Sequence, residues 1–211
     1  MQTQIRIVSG QLRGRKLSCD VEPGMRPMPD RVREALFSIL TSEIAGRPFI
    51  DVFAGTGAVG MEGLSRGAIP VTFVEFNGKT AAEIIRHLKA FGVEDRAQVL
   101  KADAYRWANR WTAPAGPVTM FLGPPYPDLS KRCDELMGVV AELLSKIAPE
   151  SLFVFQSEKD FDEALLPQSE GWRHRQYGRT RLSFWRQPVE GQEPGSVELD
   201  AGSVEADADS E

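Results

Sequence analysis

Short β-prone segments alternate with amphipathic helical segments over residues 49–186, and this alternation restricts the fold more than any other feature. Strands are predicted at residues 49–53, 71–75, 98–101, 118–122 and 152–156. Between them, apolar residues recur at helical spacing, as in Ala81, Ile84, Ile85 and Leu88, and we expect such stripes to face a sheet. The pattern is typical of a parallel sheet covered by helices, so the sequence predicts an α/β fold.

Both ends of this region predict additional elements. Residues 172–177 and 181–186 flank a turn that contains Gly178, which predicts an antiparallel hairpin at the end of the sheet. Ahead of the alternation, residues 5–8 and 12–17 are predicted as two short strands around Gly10. A helix is predicted to begin at Asp30, whose side chain can cap the first turn. Its apolar stripe places Arg31 and Arg33 away from the core, where they are free to meet a polyanion or water.

A glycine-rich motif follows the first strand of the alternation. Gly55, Gly57 and Gly60 stand in the order Gly-x-Gly-x-x-Gly, and Glu75 lies 20 residues after Gly55, at the end of the second strand. The glycines permit a tight turn that a ligand can approach closely, and a carboxylate at the second strand suits the hydroxyls of a ribose. The motif therefore indicates a nucleoside-containing cofactor, with a purely structural turn as the alternative.

The position of Asp51 distinguishes between nucleoside cofactors. It lies four residues before Gly55, where its charge would repel a diphosphate but would attract an ammonium group. S-adenosylmethionine carries such a group, a ribose for Glu75, and an adenine whose amino group could be held by Asp103. Asp103 is equally suited to cap the helix that follows it, and one carboxylate can do both. A nicotinamide oxidoreductase is the competing interpretation of the glycines, but it gives Asp51 no role.

The segment Gly123-Pro124-Pro125-Tyr126 follows the fourth strand. Two consecutive prolines stiffen a loop and leave carbonyl groups free to face a ligand, and Tyr126 offers a flat surface on which a base can stack. The carboxyl end of a strand in an α/β sheet is a usual place for a second substrate. The loop is therefore predicted to hold that substrate, with a plain rigid turn as the alternative.

The charge is unevenly distributed along the chain. The formal net charge is -5, but residues 189–211 contain eight acids and no Lys or Arg, and without them 25 basic and 22 acidic residues remain. Residues 1–33 contain seven basic side chains and three acidic ones. We expect RNA as the partner of this basic end and disorder from about Pro188 onward.

Several classes of protein are excluded by what the sequence lacks. It has no apolar run of about 18 residues and no export signal at its start, so we expect a cytoplasmic protein without a membrane span. Cys19 and Cys133 are the two cysteines, without the spacing of a zinc site or a disulfide framework. We therefore expect two free buried thiols and no metal.

The motifs together resemble those of the bacterial RsmD-type guanine-N2 methyltransferases of small-subunit rRNA, within the class I S-adenosylmethionine-dependent fold. The resemblance covers about residues 6–186 and rests on Ser9-Gly10-Gln11-Leu12-Arg13-Gly14-Arg15-Lys16-Leu17, Arg26-Pro27, Asp30-Arg31-Val32-Arg33-Glu34-Ala35-Leu36-Phe37, Asp51-Val52-Phe53-Ala54-Gly55-Thr56-Gly57, Pro124-Pro125-Tyr126 and Tyr177-Gly178-x-Thr180-x-Leu182-Ser183-Phe184. It implies a Rossmann-like, mostly parallel sheet of seven strands, a basic N-terminal extension (residues 1–42), a cofactor-binding core (43–188) and an acidic tail (189–211).

The resemblance also implies roles for individual residues. S-adenosylmethionine would be bound by Asp51, Phe53, Gly55, Gly57, Glu75, Asp103 and Ala104. Pro124–Tyr126 would hold the target guanine, and the catalytic residues would be Gly123, Pro124, Pro125 and Tyr126. The contacts to 16S rRNA or the small ribosomal subunit would be made by Arg13, Arg15, Lys16, Arg26, Arg31 and Arg33. The protein is expected to act as a monomer.

Gly123 departs from this family pattern, which has aspartate before the two prolines. An aspartate there would accept a hydrogen bond from the exocyclic amine of guanine, whose lone pair is otherwise delocalised into the ring. A charge-assisted hydrogen bond contributes about 1.5–3 kcal/mol, so its loss predicts slower transfer. Asp128 and Glu158 are candidate replacements. The alternative function is a catalytically impaired factor that binds cofactor and RNA during ribosome assembly.

Overall fold

The computed structural model describes residues 2–21, 26–189 and 191, and these residues form nine strands and six α-helices. The strands are β1 Gln2–Arg6, β2 Lys16–Asp20, β3 Phe49–Val52, β4 Val71–Glu75, β5 Ala97–Lys101, β6 Thr119–Leu122, β7 Leu152–Glu158, β8 Arg173–Tyr177 and β9 Thr180–Arg186. The helices are α1 Asp30–Ile39, α2 Ala58–Ser65, α3 Gly78–Phe91, α4 Ala104–Arg110, α5 Asp128–Lys131 and α6 Cys133–Lys146.

Seven of the strands form one sheet in the order β5-β4-β3-β6-β7-β9-β8. The first five pair in parallel, whereas β9 runs antiparallel to both β7 and β8. The predicted α/β fold, its parallel sheet and its C-terminal antiparallel hairpin are therefore confirmed. Strand β7 runs two residues further than predicted, because Ser157 and Glu158 pair with the first residues of β9.

Apolar side chains fill both faces of this sheet. One cluster joins α2 and α3 to the sheet and to the N-terminal residues Ile5, Ile7 and Leu17. The other joins α4 and α6 to the opposite face. Ile85 does not belong to the helical stripe that the sequence predicted, because its side chain remains 41% exposed while Ile84 is fully buried.

The N-terminal hairpin is present, but its predicted strand boundaries are wrong. Strands β1 and β2 pair antiparallel, from Gln2 opposite Asp20 to Arg6 opposite Lys16, and the segment between them folds against α2. A Cβ atom at Gly10 would lie 2.0 Å from the carbonyl oxygen of Ser65, so only glycine allows this approach. Ile7 and Leu12 are buried; the Ile7 N–H still donates to the Arg15 carbonyl at 2.9 Å, and the Leu12 N–H donates to the Ser65 hydroxyl of α2 at 2.9 Å.

Helix α1 begins at the predicted residue, but two predictions about it are wrong. Pro29 is the N-cap residue and no side chain caps the helix, since the Asp30 carboxylate instead contacts the Arg33 guanidinium at 3.0 Å. Arg33 does not face away from the core: its side chain is fully buried. Its guanidinium donates to the carbonyl oxygens of Arg6 at 2.6 Å and Met28 at 3.2 Å, and lies 3.6 Å from the Glu62 carboxylate.

The acidic tail predicted to be disordered lies outside the described residues, apart from Val189 and Gly191. Within residues 2–21 and 26–189, no helix has both the length and the apolar character needed to span a membrane. Both thiols are free, with Cys19 buried and Cys133 partly exposed.

Candidate cofactor and substrate site

A cavity of about 370 Å³ opens at the carboxyl ends of β3, β4 and β6, within the usual size range of small-molecule sites. The chain runs from β3 through β4 to β5 on one side of the sheet and then crosses to β6 on the other side of β3, so the strand order reverses between β3 and β6. This is the switch point at which α/β sheets bind ligands. The sequence predicted nine of the nineteen lining residues, which are Arg26, Pro27, Met28, Asp51, Phe53, Ala54, Gly55, Thr56, Ala58, Val59, Glu75, Phe76, Phe121, Gly123, Pro124, Pro125, Tyr126, Pro127 and Gln156.

The glycine motif forms a tight turn from β3 into α2. Phe53, Gly55 and Gly57 all have positive φ, at 61°, 52° and 73°, and Gly57 is the N-cap residue of α2. A Cβ atom at Gly60 would lie 2.3 Å from the Phe73 ring, so glycine is needed for α2 to approach the sheet. Phe53 and Gly55 line the cavity, whereas Gly57 shapes the turn behind it.

Asp51 lies at the base of the cavity and is almost fully buried. Its Oδ2 accepts a hydrogen bond from the Gly60 N–H at 2.8 Å, while its Oδ1 has no partner among the described residues. The pKa of Asp51 is raised to about 8, mainly by burial, with a smaller contribution from the charge of Glu75, while the hydrogen bond from the Gly60 N–H opposes the rise. A cation in the cavity would offset the burial and stabilise the ionised carboxylate.

Glu75 is held rigidly at the end of β4. Its Oε2 accepts from the Gly55 N–H at 2.8 Å, and its Oε1 accepts from the Asn77 N–H at 2.7 Å. Burial raises the pKa of Glu75, and the backbone N–H groups partly offset that effect. Each oxygen retains lone-pair capacity, so the carboxylate can also accept hydrogen bonds from a diol.

Asp103 and Ala104 do not line the cavity. Asp103 is the N-cap residue of α4, and its Oδ1 accepts from the Tyr105 N–H at 2.9 Å. The capping role is therefore confirmed, and the contact of Asp103 with an adenine amino group stays a prediction.

The loop after β6 brings all four of its predicted residues to the cavity. The Pro125 carbonyl accepts the Asp128 N–H at 2.9 Å, whereas no donor within the described part of the chain reaches the Pro124 carbonyl. The Arg26 guanidinium carbon lies 5.6 Å from the centre of the Tyr126 ring. The loop thus offers a free carbonyl oxygen and an aromatic face.

Neither acid proposed to replace the missing aspartate reaches the cavity. Asp128 accepts the Tyr105 hydroxyl at 2.6 Å, beside Arg132, which stacks on the Tyr105 ring. Glu158 ends β7, opposite Thr180, and does not line the cavity. The loss of charge at Gly123 is therefore not compensated by these two carboxylates.

Phe76 and Gln156 line the cavity although the sequence analysis did not single them out. Phe76 directly follows Glu75 and is 72% exposed, which is unusual for an aromatic side chain at the end of a buried strand. Its position after the carboxylate is a signal that could have identified it. Gln156 also gave a signal, because it is the polar residue at the carboxyl end of the predicted strand 152–156, directly after an apolar run.

Five of the six predicted RNA contacts are exposed at the surface: Arg13, Arg15, Lys16, Arg26 and Arg31. Arg33, buried in the core, is not available to a polyanion and is withdrawn from that set. Across the described ranges, no three His, Cys, Asp or Glu side chains come together as a metal site would require.

Comparisons with known proteins agree with this architecture. A family model described as conserved hypothetical protein 95 matches residues 5–186. The ribosomal RNA small subunit methyltransferase D of Escherichia coli K12 is 39% identical over 123 residues, which are 58% of this chain and 61% of that protein. The protein of the same name from Haemophilus influenzae is 30% identical over 158 residues, 74% of this chain and 80% of its own length. The solved structure of E. coli yhhF superposes with a TM-score of 0.74 at 30% identity, covering 88% of this chain and 99% of that one.

Proposed function

This chain belongs to the conserved hypothetical protein 95 family, the RsmD-type family, and from that membership we propose that it methylates the exocyclic N2 of a guanine in 16S rRNA with S-adenosylmethionine. One observation carries the proposal: Asp51, Glu75 and the Pro124–Tyr126 loop line a single cavity at the switch point of a class I methyltransferase sheet. The names of the relatives support rRNA as the substrate, and the N2 position is the finer part of the proposal.

The cavity fits S-adenosylmethionine group by group. The Oδ1 of Asp51, which has no protein donor among the described residues, is available to an ammonium group. Glu75 is available to the ribose hydroxyls, and the exposed ring of Phe76 offers a stacking surface for adenine. The bound cofactor supplies an electrophilic methyl group on a sulfonium. Burial strengthens the attraction between Asp51 and a cation, because the surroundings screen it less than water does.

The target base would enter from the side of the Pro124–Tyr126 loop. An exocyclic amine is out of reach inside a folded RNA helix, so the base must be unstacked and held by a flat surface. Tyr126 supplies that surface, and the Pro124 carbonyl can accept one of the two N–H groups of the amine. The exposed basic residues near the N-terminus would neutralise RNA phosphates.

Methyl transfer to RNA tests the proposal directly. Labelled S-adenosylmethionine is incubated with 16S rRNA or 30S subunits that lack the modification, and the RNA is then digested to nucleosides. We expect label in N2-methylguanosine. Cofactor binding without transfer to either substrate would contradict the proposal and support the alternative function of an RNA-binding assembly factor. Absence of cofactor binding would contradict both.

A further inference from the structure

We infer that the side-chain carbonyl of Gln156 accepts a hydrogen bond from the target amine, in place of the carboxylate that position 123 lacks. The inference rests on the proposed methyl transfer and adds a residue to it. Gln156 would act with the Pro124 carbonyl, so that both N–H groups of the amine have acceptors at the cavity wall.

The pairing of the strands places Gln156 beside Gly123. Leu122, the last residue of β6, is in register with Phe155 of β7, so the next residues along the two parallel strands are Gly123 and Gln156. Both line the cavity. The side chain of residue 156 therefore lies beside the place that a side chain of residue 123 would occupy.

The Gln156 amide is oriented by Tyr126. Its Nε2 lies 3.3 Å from the Tyr126 hydroxyl oxygen, to which it donates a hydrogen bond. Its Oε1 receives no hydrogen bond from the described residues, and it is 3.7 Å from the point that a Cβ atom of residue 123 would occupy. The unused acceptor thus stands next to the place from which an aspartate side chain would extend.

Position 123 itself cannot readily carry a side chain in this structure. A Cβ atom there would lie 2.8 Å from Cε1 and 3.2 Å from Cζ of the Phe121 ring, which is buried. The Phe121 ring takes the space of a side chain at 123, while Gln156 Oε1 lies at ordinary contact distance from it. Gln156 is therefore the side chain placed to supply an acceptor there, beside the Pro124 carbonyl.

A neutral amide oxygen is sufficient for this role because no proton needs to be accepted before transfer. The amine nitrogen forms a bond to the methyl carbon, the carbon–sulfur bond of S-adenosylmethionine breaks, and one proton leaves the nitrogen to water. The acceptor holds an N–H group so that the nitrogen lone pair points at the methyl carbon. Gln156 supplies an uncharged acceptor for this, weaker than a carboxylate.

Three variants test the inference in single-turnover methyl transfer to 16S rRNA. Gln156→Met keeps the length of the side chain but removes the acceptor, and Gln156→Glu restores a carboxylate. Gln98→Met is the matched control, because Gln98 also lies on a strand and donates one amide hydrogen bond, to Thr72, but does not line the cavity. We expect Gln156→Met to slow transfer about tenfold, equivalent to about 1.4 kcal/mol, and Gln98→Met to leave it unchanged.

Two further measurements separate this role from a structural one. The dissociation constant for S-adenosylmethionine, measured by calorimetry, should be the same in all variants. The rate of Gln156→Glu relative to the natural protein should rise with pH as the new carboxyl group ionises, since the ionised form is the stronger acceptor. A merely structural role of Gln156 would give neither result.

The possible failures are distinguishable. Equal rates for the natural protein and Gln156→Met would overturn the role of Gln156 and leave the methyltransferase proposal standing. Slower transfer together with weaker cofactor binding would also overturn it, in favour of a structural role. A natural protein that binds the cofactor but methylates neither rRNA nor 30S subunits would overturn the proposed function, and this inference with it.

Discussion

Asp51 combines complete burial with a carboxylate oxygen that lacks a protein donor, so its ionisation should depend on the ligand. Only the ionised form attracts an ammonium group, and the pKa of about 8 keeps that form in the minority below pH 8. The dissociation constant for S-adenosylmethionine should therefore fall as pH rises from about 6 toward 8. Calorimetry at several pH values measures this change.

Asp51→Asn is the control for that dependence. The variant should bind the cofactor more weakly and with a flat pH profile over the same range, because the titrating group is gone. An unchanged slope in the variant would assign the pH dependence to another group, such as Glu75.

Gly123 should be intolerant of a Cβ atom, since the Phe121 ring lies 2.8 Å from where one would be. Gly123→Ala should lower the free energy of unfolding by about 1–3 kcal/mol, as overpacking usually does. Gly138→Ala in α6 is the matched control, because nothing lies within 4 Å of its added Cβ, and it should be neutral or stabilising. Urea unfolding of both variants checks this, and equal losses would contradict it.

Because the Phe121 ring occupies the space for a side chain at residue 123, Gly123→Asp should not restore fast methyl transfer by itself.

The sequence showed that the aspartate is missing, but not that the space for it is occupied. Asp51, Glu75 and the proline loop were predictable because their roles depend on strand ends and spacing. Gln156 also ends a predicted strand, but its position beside Gly123 depends on the register between two strands that are far apart in the chain.

Among the elements, helix α1 offers a direct comparison of two arginines. Arg33 is buried between β1 and α2, whereas Arg31 is exposed. Arg33→Met should lower the free energy of unfolding by about 2–5 kcal/mol, because it leaves the carbonyl oxygens of Arg6 and Met28 without their buried donor. Arg31→Met should change it by less than about 0.5 kcal/mol.

In RNA binding the order of the two effects should be reversed, so that Arg31→Met weakens binding and Arg33→Met does not. Arg31→Met should make the slope of log affinity against log salt concentration shallower by about one unit, which corresponds to the loss of one phosphate contact. Arg33→Met should leave that slope unchanged in the folded protein. Stability measured by urea and affinity measured at several salt concentrations separate the two. A weaker salt dependence for Arg33→Met would contradict the assignment.

The error over Arg33 has a physical cause. Helical periodicity shows which face of a helix is apolar, but not how many neighbouring elements pack around the helix. Helix α1 is covered on two sides, by the N-terminal segment and by α2, so a charged residue beside the apolar stripe is also enclosed. The hairpin boundaries were wrong for a similar reason: Leu12 was predicted in a strand, although its N–H donates to Ser65 of α2 and not to a neighbouring strand.

For the protein as a whole, opposite charges at the two ends of the chain predict competition. The acidic segment 189–211 carries eight acids, and the exposed basic residues lie near the N-terminus. A chain that ends at Pro188 should bind 16S rRNA severalfold more tightly at low salt, and the gain should vanish at high salt because screening weakens the competition. A full-length variant with the eight acids changed to amides is the matched control and should behave alike.

Unchanged affinity in both variants would show that the acidic segment does not compete with RNA.

The alternating pattern was enough to predict the sheet, its hairpin and the position of the cofactor turn. It was not enough to predict how the N-terminal extension joins α2, because the position of that contact is also set by buried polar groups. The N–H groups of Val8 and Ser9 both donate to Glu62, at 2.8 and 3.0 Å.

Helix α2 therefore contacts both the proposed cofactor site and the basic N-terminal extension that is proposed to bind RNA. Its N-cap residue is Gly57, in the glycine turn, and near its other end Glu62 and Ser65 hold the basic extension. Because one helix contacts both regions, we expect the binding of cofactor and the binding of RNA to be coupled. If cofactor raises the affinity for RNA by some factor, RNA must raise the affinity for cofactor by the same factor. Glu62→Gln should reduce that factor toward one, as calorimetry with and without the second ligand would measure, and an undiminished factor would place the coupling elsewhere.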